Sequence, residues 1–284
     1  MFKDCYHLCT TALKDRLLCH DEEDYIAAWN ALAVCSLMTE IRIYCLCLMS
    51  NHIHILLSGT SEKISGFFRV FKQKLGMYLK ERHGSCLSYE LEYELFPVTD
   101  RRAFCQEVAY ILRNPYKAGI SGPFSYNWSS GCLYFNPYLD AGKMKSDFSV
   151  KDLRQMLRTR FALPDSVRII GRMISPGSFI DAAFVEKMFD HSSVSFFNLA
   201  KTWAIEDTVN ASHGQNVPDA YSDEEVVQGI NKACKELFLV SSPSQLGAKD
   251  LARLVRQIRS RFGCPRSQLL RLLPVDDYLL DRVL

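Results

Sequence analysis

The sequence has little net charge and no long hydrophobic run. Its 284 residues include 34 Lys and Arg and 32 Asp and Glu. The resulting formal charge of +2 does not by itself indicate a nucleic-acid partner. Uninterrupted apolar runs stay under ten residues, whereas a membrane-spanning helix needs about 20. The opening Met-Phe-Lys-Asp-Cys-Tyr-His includes an acid and leads into no apolar segment, which is unlike a signal peptide. We therefore expect no membrane segment.

Paired cysteine motifs are also missing. The 11 Cys are odd in number and include no Cys-x-x-Cys. A structural zinc site needs ligand clusters at defined spacing, and a secreted disulfide framework needs an even set of cysteines. We therefore expect most of these thiols to be small apolar side chains of the core, in a protein of the reducing cytoplasm.

The apolar content is high enough for a packed core, since 48% of the residues are hydrophobic and 12% aromatic. This excludes a disordered chain. Strand and helix signals alternate over residues 1–140, and they predict an α+β fold, an antiparallel sheet with helices on one face. The predicted elements are strands over 42–48, 52–57 and 88–98, a turn at Met49–Asn51, a helix over 63–81, and a helix that Asp100 caps and Asn114-Pro115 stops after Arg113.

The rest of the chain is helical in tendency and divides by charge. Residues 146–240 are predicted to form a helical middle region, and residues 241–284 a basic module of three helices, over 249–262, 267–273 and 276–284. Helical spacing predicts an apolar face on the first of these helices and a polar face opposite it. The apolar face contains Leu251, Leu254, Val255, Ile258 and Phe262, and the polar face largely contains Arg253, Arg256, Arg259 and Arg261. The local charge balance is +1 over residues 1–145, −3 over 146–234 and +4 over 235–284. The low net charge of the whole chain is therefore the sum of an acidic middle region and a basic C-terminal region.

The first chemistry-bearing pattern is His52-Ile53-His54. In a strand, residues i and i+2 face the same side, so the two imidazoles project together while Ile53 turns to the core. Two adjacent imidazoles form a good divalent-metal platform. The alternative is a pair of unrelated histidines on a solvated strand face.

The second pattern is Tyr110-Ile-Leu-Arg-Asn114-Pro115. Tyr110 points away from the predicted apolar face of its helix, and Asn114 lies one turn later on nearly the same line. A hydroxyl and an amide so placed can take part in chemistry. The alternative is a surface or interface tyrosine.

Together the two patterns resemble the single-tyrosine HUH transposases of insertion sequences, and most of all the REP-associated tyrosine transposases. The matching segments are Met49-Ser-Asn-His-Ile-His54, Tyr110-Ile-Leu-Arg-Asn-Pro115 with Lys117-Ala-Gly119, Tyr6-His7, and Asp21–Tyr25. The resemblance covers residues 5 to about 138. It departs from the family at Thr10-Thr-Ala-Leu13, where members carry a Ser-Arg-Gly-like stretch.

The resemblance implies a ferredoxin-like catalytic domain over residues 1–140 that works as a homodimer. It implies that His52, His54 and Asn114 bind Mg²⁺ or Mn²⁺, and that Tyr110 attacks a phosphodiester. The product would be a 5′-phosphotyrosyl link to single-stranded or hairpin DNA, with a free 3′-OH.

Basic side chains are expected to contact the DNA phosphates. The candidates are Arg69, Lys72 and Lys74 of the 63–81 helix, Lys117 of the tyrosine motif, and Arg253 and Arg256 of the basic module. The basic module resembles a helix-turn-helix, although Asp276, Asp277 and Asp281 make its last helix acidic for a groove-reading role. The alternative for the 63–81 helix is a solvated helix face. The alternative for the basic module is a plain helical bundle.

Three functions are compatible with these patterns. The leading hypothesis is a metal-dependent transposase that nicks DNA and transfers strands. The second is a domesticated, non-cutting protein that binds hairpin or repeat DNA. The third is a metal phosphohydrolase that uses water and leaves Tyr110 idle.

Overall fold

The computed structural model describes most of the chain. The described residues are 2–11, 13, 17–84, 90–118, 120–139, 142–202, 209–210, 213, 223–262, 264 and 266–283. The chain divides into two compact units, Met1–Asn114 with Pro123–Ala200, and Pro115–Gly122 with Lys201–Leu284. Within the described residues, no helix is both long and apolar enough to cross a membrane. The domain boundaries at 140, 146 and 241 stay a prediction.

The first unit is built on a four-stranded antiparallel sheet. Its strands are ordered β2-β3-β1-β4, and every neighbouring pair is antiparallel. The elements follow one another as β1 (Cys5–Thr10), α1 (Glu22–Thr39), β2 (Arg42–Leu48), β3 (Ile53–Ser58), α2 (Ser61–His83) and β4 (Tyr93–Pro97). The predicted antiparallel sheet and its β2–β3 hairpin are therefore confirmed. Residues 88 and 89, the start of the last predicted strand, lie outside the described residues.

One face of the sheet packs against α1 and α2. Because side chains alternate along a strand, Leu8, Ile55 and Leu57 all point to this face, where they are fully buried. The helices contribute Trp29, Leu32, Phe67, Phe71 and Leu75 to the same cluster. Each fully buried side chain of this kind stabilises the fold by about 1.5–3 kcal/mol. This cluster is the main core of the unit.

The opposite face is covered by α3 (Arg101–Lys117). The rings of Tyr44 and Phe104 lie 5.3 Å apart, and the Cys45 thiol lies 4.0 Å from the carbonyl oxygen of Val108. The prediction that helices cover one face is therefore right for α1 and α2 and wrong for α3. Strand β2 is buried without a break from Ile43 to Leu48, as in strands that are covered on both faces. Its unbroken apolar sequence was the available sign of this second covering.

Helix α3 begins where the sequence predicts and ends later. The Asp100 carboxylate accepts from the backbone N–H of Ala103 at 2.9 Å, which is an N-cap. The predicted stop at Asn114-Pro115 is wrong, because Pro115 lies inside the helix. Proline cannot donate to the carbonyl four residues earlier. The side-chain amide of Asn114 donates instead to that carbonyl of Ile111, at 3.3 Å, and to the carbonyl of Tyr110, at 3.1 Å.

The remainder of the first unit surrounds the sheet. It contains β5 (Lys143–Met144), α4 (Val150–Leu157), β6 (Arg168–Ile170), β7 (Met173–Ile174), α5 (Ala182–Met188) and α6 (Ser193–Lys201). The three strands form a small sheet of their own, which the helical prediction for this region did not include. The indole N–H of Trp29 donates to the carbonyl of Ile174 at 2.9 Å and so ties α1 to β7.

The second unit contains the last turn of α3 and, within the described residues, four further helices. They are α7 (Asp223–Leu237), α8 (Ala248–Phe262), α9 (Arg266–Leu272) and α10 (Asp277–Val283). The predicted apolar stripe of α8 is buried at Leu251, Leu254, Val255 and Ile258. Arg259, predicted on the polar face, is 3% exposed, so that prediction is wrong. Residues 119, 263, 265 and 284 of the predicted motifs lie outside the described residues, and a helix-turn-helix stays a prediction.

Candidate active site

A chain of buried polar groups lies under α3. On the face opposite the main core, β1 presents His7 and β3 presents His54, whose rings meet with Nε2 of His7 2.9 Å from Nδ1 of His54. From α3, the Glu107 carboxylate lies 2.8 Å from Nδ1 of His7. All three side chains are buried, with residue exposures of 1% for His7 and 4% for both His54 and Glu107. Buried polar groups of this kind are costly unless they are paired, and here the His7 side chain contacts both Glu107 and His54.

His52 lies beside His54, as the strand alternation predicts. It follows a tight turn in which the N–H of Met49 donates to the carbonyl of His52 at 2.9 Å. The two imidazole rings are 4.9 Å apart and nearly perpendicular, while Ile53 between them is fully buried on the other face. Nδ1 of His52 lies 2.7 Å from the side-chain oxygen of Asn51. The hairpin turn therefore both places the ring and orients it.

Tyr110 meets this cluster from α3. Its ring centroid is 5.8 Å from that of His7 and 5.9 Å from that of His54, both in edge-to-face geometry. Tyr110 is 7% exposed, so the structure places it in a buried polar cluster and not on the surface. His54 and Tyr110 are 56 residues apart in the sequence. The fold brings them into one cluster.

Asn114 lies one helical turn after Tyr110 and is 8% exposed. Its amide nitrogen is engaged with the carbonyls of Tyr110 and Ile111, which fixes the rotation of the carboxamide group. The amide oxygen is then the end of the group that can act as a hard ligand. Carbonyl oxygens suit Mg²⁺ and Mn²⁺.

The donor types of the predicted set, two imidazoles and an amide oxygen, are ones that bind divalent metals. Both candidate histidines are held through Nδ1, His52 by Asn51 and His54 by His7. Histidines that bind metals usually bond a second group through the ring nitrogen that does not bind the metal, which orients the ring. The two Nε2 atoms and the Asn114 oxygen are therefore the atoms that could hold Mg²⁺ or Mn²⁺.

Thiols near this face are poor competitors for a nucleophile. Burial raises the pKa of Cys5 to about 12, and the negative charge of Glu107 adds to the rise. Burial likewise raises the pKa of Cys45 to about 12. With pKa values this high, neither thiol is ionised near neutral pH. The thiolate is the reactive form of cysteine. None of the ten cysteines within the described residues forms a disulfide, in keeping with the sequence-based expectation.

The predicted DNA-binding side chains are not gathered around this cluster. Arg69, Lys72 and Lys74 lie on α2, which covers the opposite face of the sheet. Lys72 donates to the carbonyl of Leu91 at 2.6 Å, and Lys74 donates to the carbonyl of Arg158 at 3.4 Å. Both lysines therefore have partners in their own unit.

The other three candidates belong to the second unit. Lys117 is in the last turn of α3. On α8, the guanidinium of Arg253 stands 5.8 Å from the ring of Phe238, and Arg256 donates to the carbonyl of Val283 at 3.3 Å. These contacts stabilise the helical module, and a role in binding DNA stays a prediction for all six residues.

Two residues of the buried chain were not singled out as site residues from the sequence. His7 appeared only as part of the Tyr6-His7 match. Glu107 lies three residues before Tyr110, on a helix side otherwise occupied by Phe104, Val108 and Ile111, all fully buried. A single acid on an apolar helix face was the available signal.

Comparison with known proteins adds one distant match. No protein-family profile and no curated protein matches the chain. Among solved structures, the chain is similar to that of a REP-associated tyrosine transposase bound to a REP hairpin, with 12% sequence identity and a TM-score of 0.39. The match covers 60% of this chain and 95% of that one. A similarity of this size carries no argument about function, which has to rest on the residues of the site.

Proposed function

We propose that the protein is a metal-dependent, transposase-type enzyme that nicks single-stranded or hairpin DNA and transfers the strand through Tyr110. The observation that carries the proposal is the edge-to-face contact of Tyr110 with His54 on one face of the sheet, with His52 beside His54. The sequence motifs that resemble HUH transposases contribute these same residues. The βαββαβ element order supports a ferredoxin-like catalytic domain.

In this proposal, the first step is attack by the Tyr110 hydroxyl oxygen on the phosphorus of a phosphodiester. A bond forms between the tyrosine oxygen and phosphorus, and the bond from phosphorus to the 3′ oxygen breaks. The phenolic proton is lost and the leaving 3′ oxygen gains one, so the products are a 5′-phosphotyrosyl link and a 3′-OH. The link conserves the phosphodiester energy, so attack by a 3′-OH can rejoin strands.

The residues around Tyr110 have distinct roles in this scheme. His52, His54 and Asn114 would hold Mg²⁺ or Mn²⁺, and the metal would supply Lewis-acid stabilisation of charge on the phosphate oxygens. His54 comes from β3 and Tyr110 from α3, while His52 directly precedes β3; rigid elements hold a reactive geometry better than loops do. The packing of α3 on the sheet keeps the Tyr110 ring close to that of His54.

The partners follow from the same proposal. DNA is the substrate, and a homodimer would present two sites to it. The six basic candidates, Arg69, Lys72, Lys74, Lys117, Arg253 and Arg256, would supply phosphate contacts outside the reacting centre. A cytoplasmic location stays an expectation.

The test is a covalent-adduct assay. The protein is incubated with Mn²⁺ and a panel of labelled single-stranded and hairpin DNAs, and adducts are resolved on a denaturing gel. We expect an adduct from the wild type, none from Tyr110→Phe, and none from His54→Ala. Tyr116→Phe removes the hydroxyl of a tyrosine on the same helix that is 39% exposed and is the matched control, which should still form the adduct.

Each other outcome selects a different function. No wild-type adduct over the whole panel, with DNA binding retained, contradicts nicking and favours a non-cutting DNA-binding protein. Cleavage that survives Tyr110→Phe favours a hydrolase that uses water.

A further inference from the structure

A cleft in the first unit is separate from the candidate active site. Its volume is about 740 Å³, within the range of about 300–1,000 Å³ that is typical of small-molecule sites. Helices α1, α2 and α4 line it together with the turn between β6 and β7. None of the described residues that line the cleft belongs to α3 or to strands β1–β4. We propose that this cleft binds an aliphatic carboxylic acid, whose carboxylate is held by Lys74.

The walls of the cleft are mainly aliphatic. Helix α1 contributes Ile26, Ala27 and Ala31, and the short alanine side chains leave room above the helix. Helices α2 and α4 contribute Met77 and Met156. Met77 is 62% exposed, so a ligand that covers it would remove apolar surface from water. Methionine side chains adapt to ligands of irregular shape, which suits a flexible hydrocarbon chain.

The charged side chains of the cleft leave one cation without a carboxylate partner. The guanidinium of Arg172 bonds both carboxylate oxygens of Glu23, and Arg158 pairs with Glu81. Among the described residues, Lys74 pairs with no carboxylate. Its ammonium group donates to the backbone carbonyl of Arg158 at 3.4 Å, which is long for a hydrogen bond. Because Lys74 is half-buried, an anionic ligand would meet a partly desolvated counter-charge there.

The ammonium group of Lys74 lies near α1. Burial raises the pKa of Cys35 on α1 to about 12, and the positive charge of Lys74 partly opposes that rise. The other acid that lines the cleft, Asp152, is exposed and accepts from the Ser149 hydroxyl at 2.7 Å. It precedes Arg158 by six residues, which is about 9 Å along a helix. The cation and this acid therefore lie near opposite ends of α4, and only one end of the cleft suits an anion.

The same lining argues against a nucleotide. A base edge is recognised by convergent hydrogen-bonding groups, but the Asn30 amide already donates to the carbonyl of Arg172 at 2.8 Å and accepts from a backbone N–H of β7 at 2.9 Å. A base also stacks on an aromatic face. The guanidinium of Arg158 stands 5.4 Å from the ring of Tyr78, and Phe148 packs against the main core. A hydrocarbon chain needs neither kind of contact.

The first experiment titrates the full chain with a ligand series by calorimetry. Saturated carboxylates from hexanoate to dodecanoate, kept below their micelle concentrations, should bind about fourfold more tightly for each added methylene until the cleft is filled. Decan-1-ol has no charge and should bind about 10- to 100-fold more weakly than decanoate. The proposal is overturned if no carboxylate binds, or if decylammonium binds as tightly as decanoate.

The second experiment tests the role of Lys74. Lys74→Gln should weaken decanoate binding about 10- to 100-fold, because it removes a hydrogen bond from a charged group. It should change the affinity for decan-1-ol little. Lys80→Gln, the same change at an exposed position of α2, is the matched control and should have no effect. Equal decanoate affinity in wild type and Lys74→Gln overturns the assignment.

The third experiment fills the cleft. Ala27→Phe places a ring against the floor on α1 and should abolish the binding of both decanoate and decan-1-ol. Met38→Phe adds a ring at an exposed position of the same helix, outside the cleft, and should leave binding unchanged. Thermal unfolding confirms that each variant is folded. Decanoate binding that survives in folded Ala27→Phe places the ligand elsewhere and overturns the proposal.

Two competing uses of Lys74 have their own outcomes. Adenosine monophosphate that binds more tightly than decanoate, and loses affinity in Lys74→Gln, assigns the cleft to nucleotides and overturns the proposal. Lys74 is also a candidate phosphate contact of the proposed function. If Lys74→Gln weakens hairpin DNA binding and leaves decanoate affinity unchanged, Lys74 serves the DNA, and the carboxylate site is overturned while the proposed function stands.

Discussion

On the face of the sheet covered by α1 and α2, strands β1 and β3 present Leu8, Ile55 and Leu57, whereas on the face covered by α3 they present His7 and His54. Both sets are buried to a similar degree. On the first face, burial removes apolar surface from water and stabilises the fold. On the second, burial is tolerable because His7 lies between two polar partners, Glu107 and His54.

The difference teaches that burial has two uses within one sheet. The apolar face accounts for most of the stability of the unit, and the polar face carries the proposed chemistry at a small net gain or loss of stability. If this is right, equal truncations on the two faces should have unequal effects on unfolding.

The largest effect on stability is expected at Phe71, which is fully buried in the main core. Phe71→Ala should lower the free energy of unfolding by about 3–5 kcal/mol, because the substitution removes apolar burial and leaves a cavity. Urea unfolding measures the change. Met77→Ala, at a position of the same helix that is 62% exposed, is the control and should change stability by less than about 0.5 kcal/mol. Similar losses at both positions would contradict the assignment of this face.

The next largest effect is expected at Asp24, a buried carboxylate at the α1–α2 contact. It accepts from the Tyr78 hydroxyl at 3.1 Å, from Arg82 at 2.7 Å and from the backbone N–H of His20 at 2.9 Å. Asp24→Ala should lower the free energy of unfolding by about 2–3 kcal/mol, because it removes the shared acceptor of these bonds, and a hydrogen bond to a charged group contributes about 1.5–3 kcal/mol. Glu22→Ala, exposed in the same helical turn, is the control.

The contribution of Asp24 should also depend on pH. Burial raises the pKa of Asp24, but hydrogen bonds from His20, His83 and Tyr78 outweigh it and leave the pKa below its ordinary value. The unfolded value is about 3.9, so the stabilisation is complete above about pH 4 and is lost as the pH falls through the lower folded value. The stability difference between wild type and Asp24→Asn should therefore shrink between pH 7 and pH 3. A constant difference would show that ionisation is irrelevant.

A smaller effect is expected when His7 and Glu107 are both replaced by apolar groups. The double variant His7→Leu with Glu107→Leu should stay within about 2 kcal/mol of wild type in unfolding free energy. Removing two buried polar partners together is often neutral, while His54 loses its hydrogen-bond partner at 2.9 Å, at a cost of about 1–3 kcal/mol. A loss as large as that of Phe71→Ala would mean that the polar face is mainly structural.

The smallest effect is expected at Asn114. Asn114→Ala should cost about 1 kcal/mol, because it removes the amide that bonds the carbonyl left open by Pro115. In a Pro115→Ala background the cost should be lower, because the alanine N–H can take over that carbonyl. A double-mutant cycle by urea unfolding measures this coupling. Equal costs in both backgrounds would show that the Asn114 amide does not replace the N–H that Pro115 lacks.

Local sequence patterns predicted much of this arrangement. The hairpin, the turn before His52 and the shared side of the two histidines follow from alternation along a strand. The apolar stripes of α2 and α8 follow from helical periodicity, which also wrongly placed Arg259 on the polar side. Helical spacing identified Tyr110 and Asn114 as a pair but did not reveal their buried environment.

Contacts between distant residues could not be predicted in the same way. His7 and Glu107 are 100 residues apart in the sequence, so no local pattern relates one to the other. The continuation of α3 through Pro115 depends on one side-chain hydrogen bond, which a rule based on residue type cannot foresee. The approach of α3 to the second face depends on packing of the whole sheet.

The spacing of the residues on α3 has a consequence for how this chain can change over evolutionary time. Glu107, Tyr110 and Asn114 follow one another at intervals of three and four, so one line along the helix carries all three. A single inserted or deleted residue within residues 107–114 would turn everything beyond it by about 100°. Substitutions can alter this helix one position at a time, whereas a change of length would disrupt the site as a whole, so length variation should be confined to the loops.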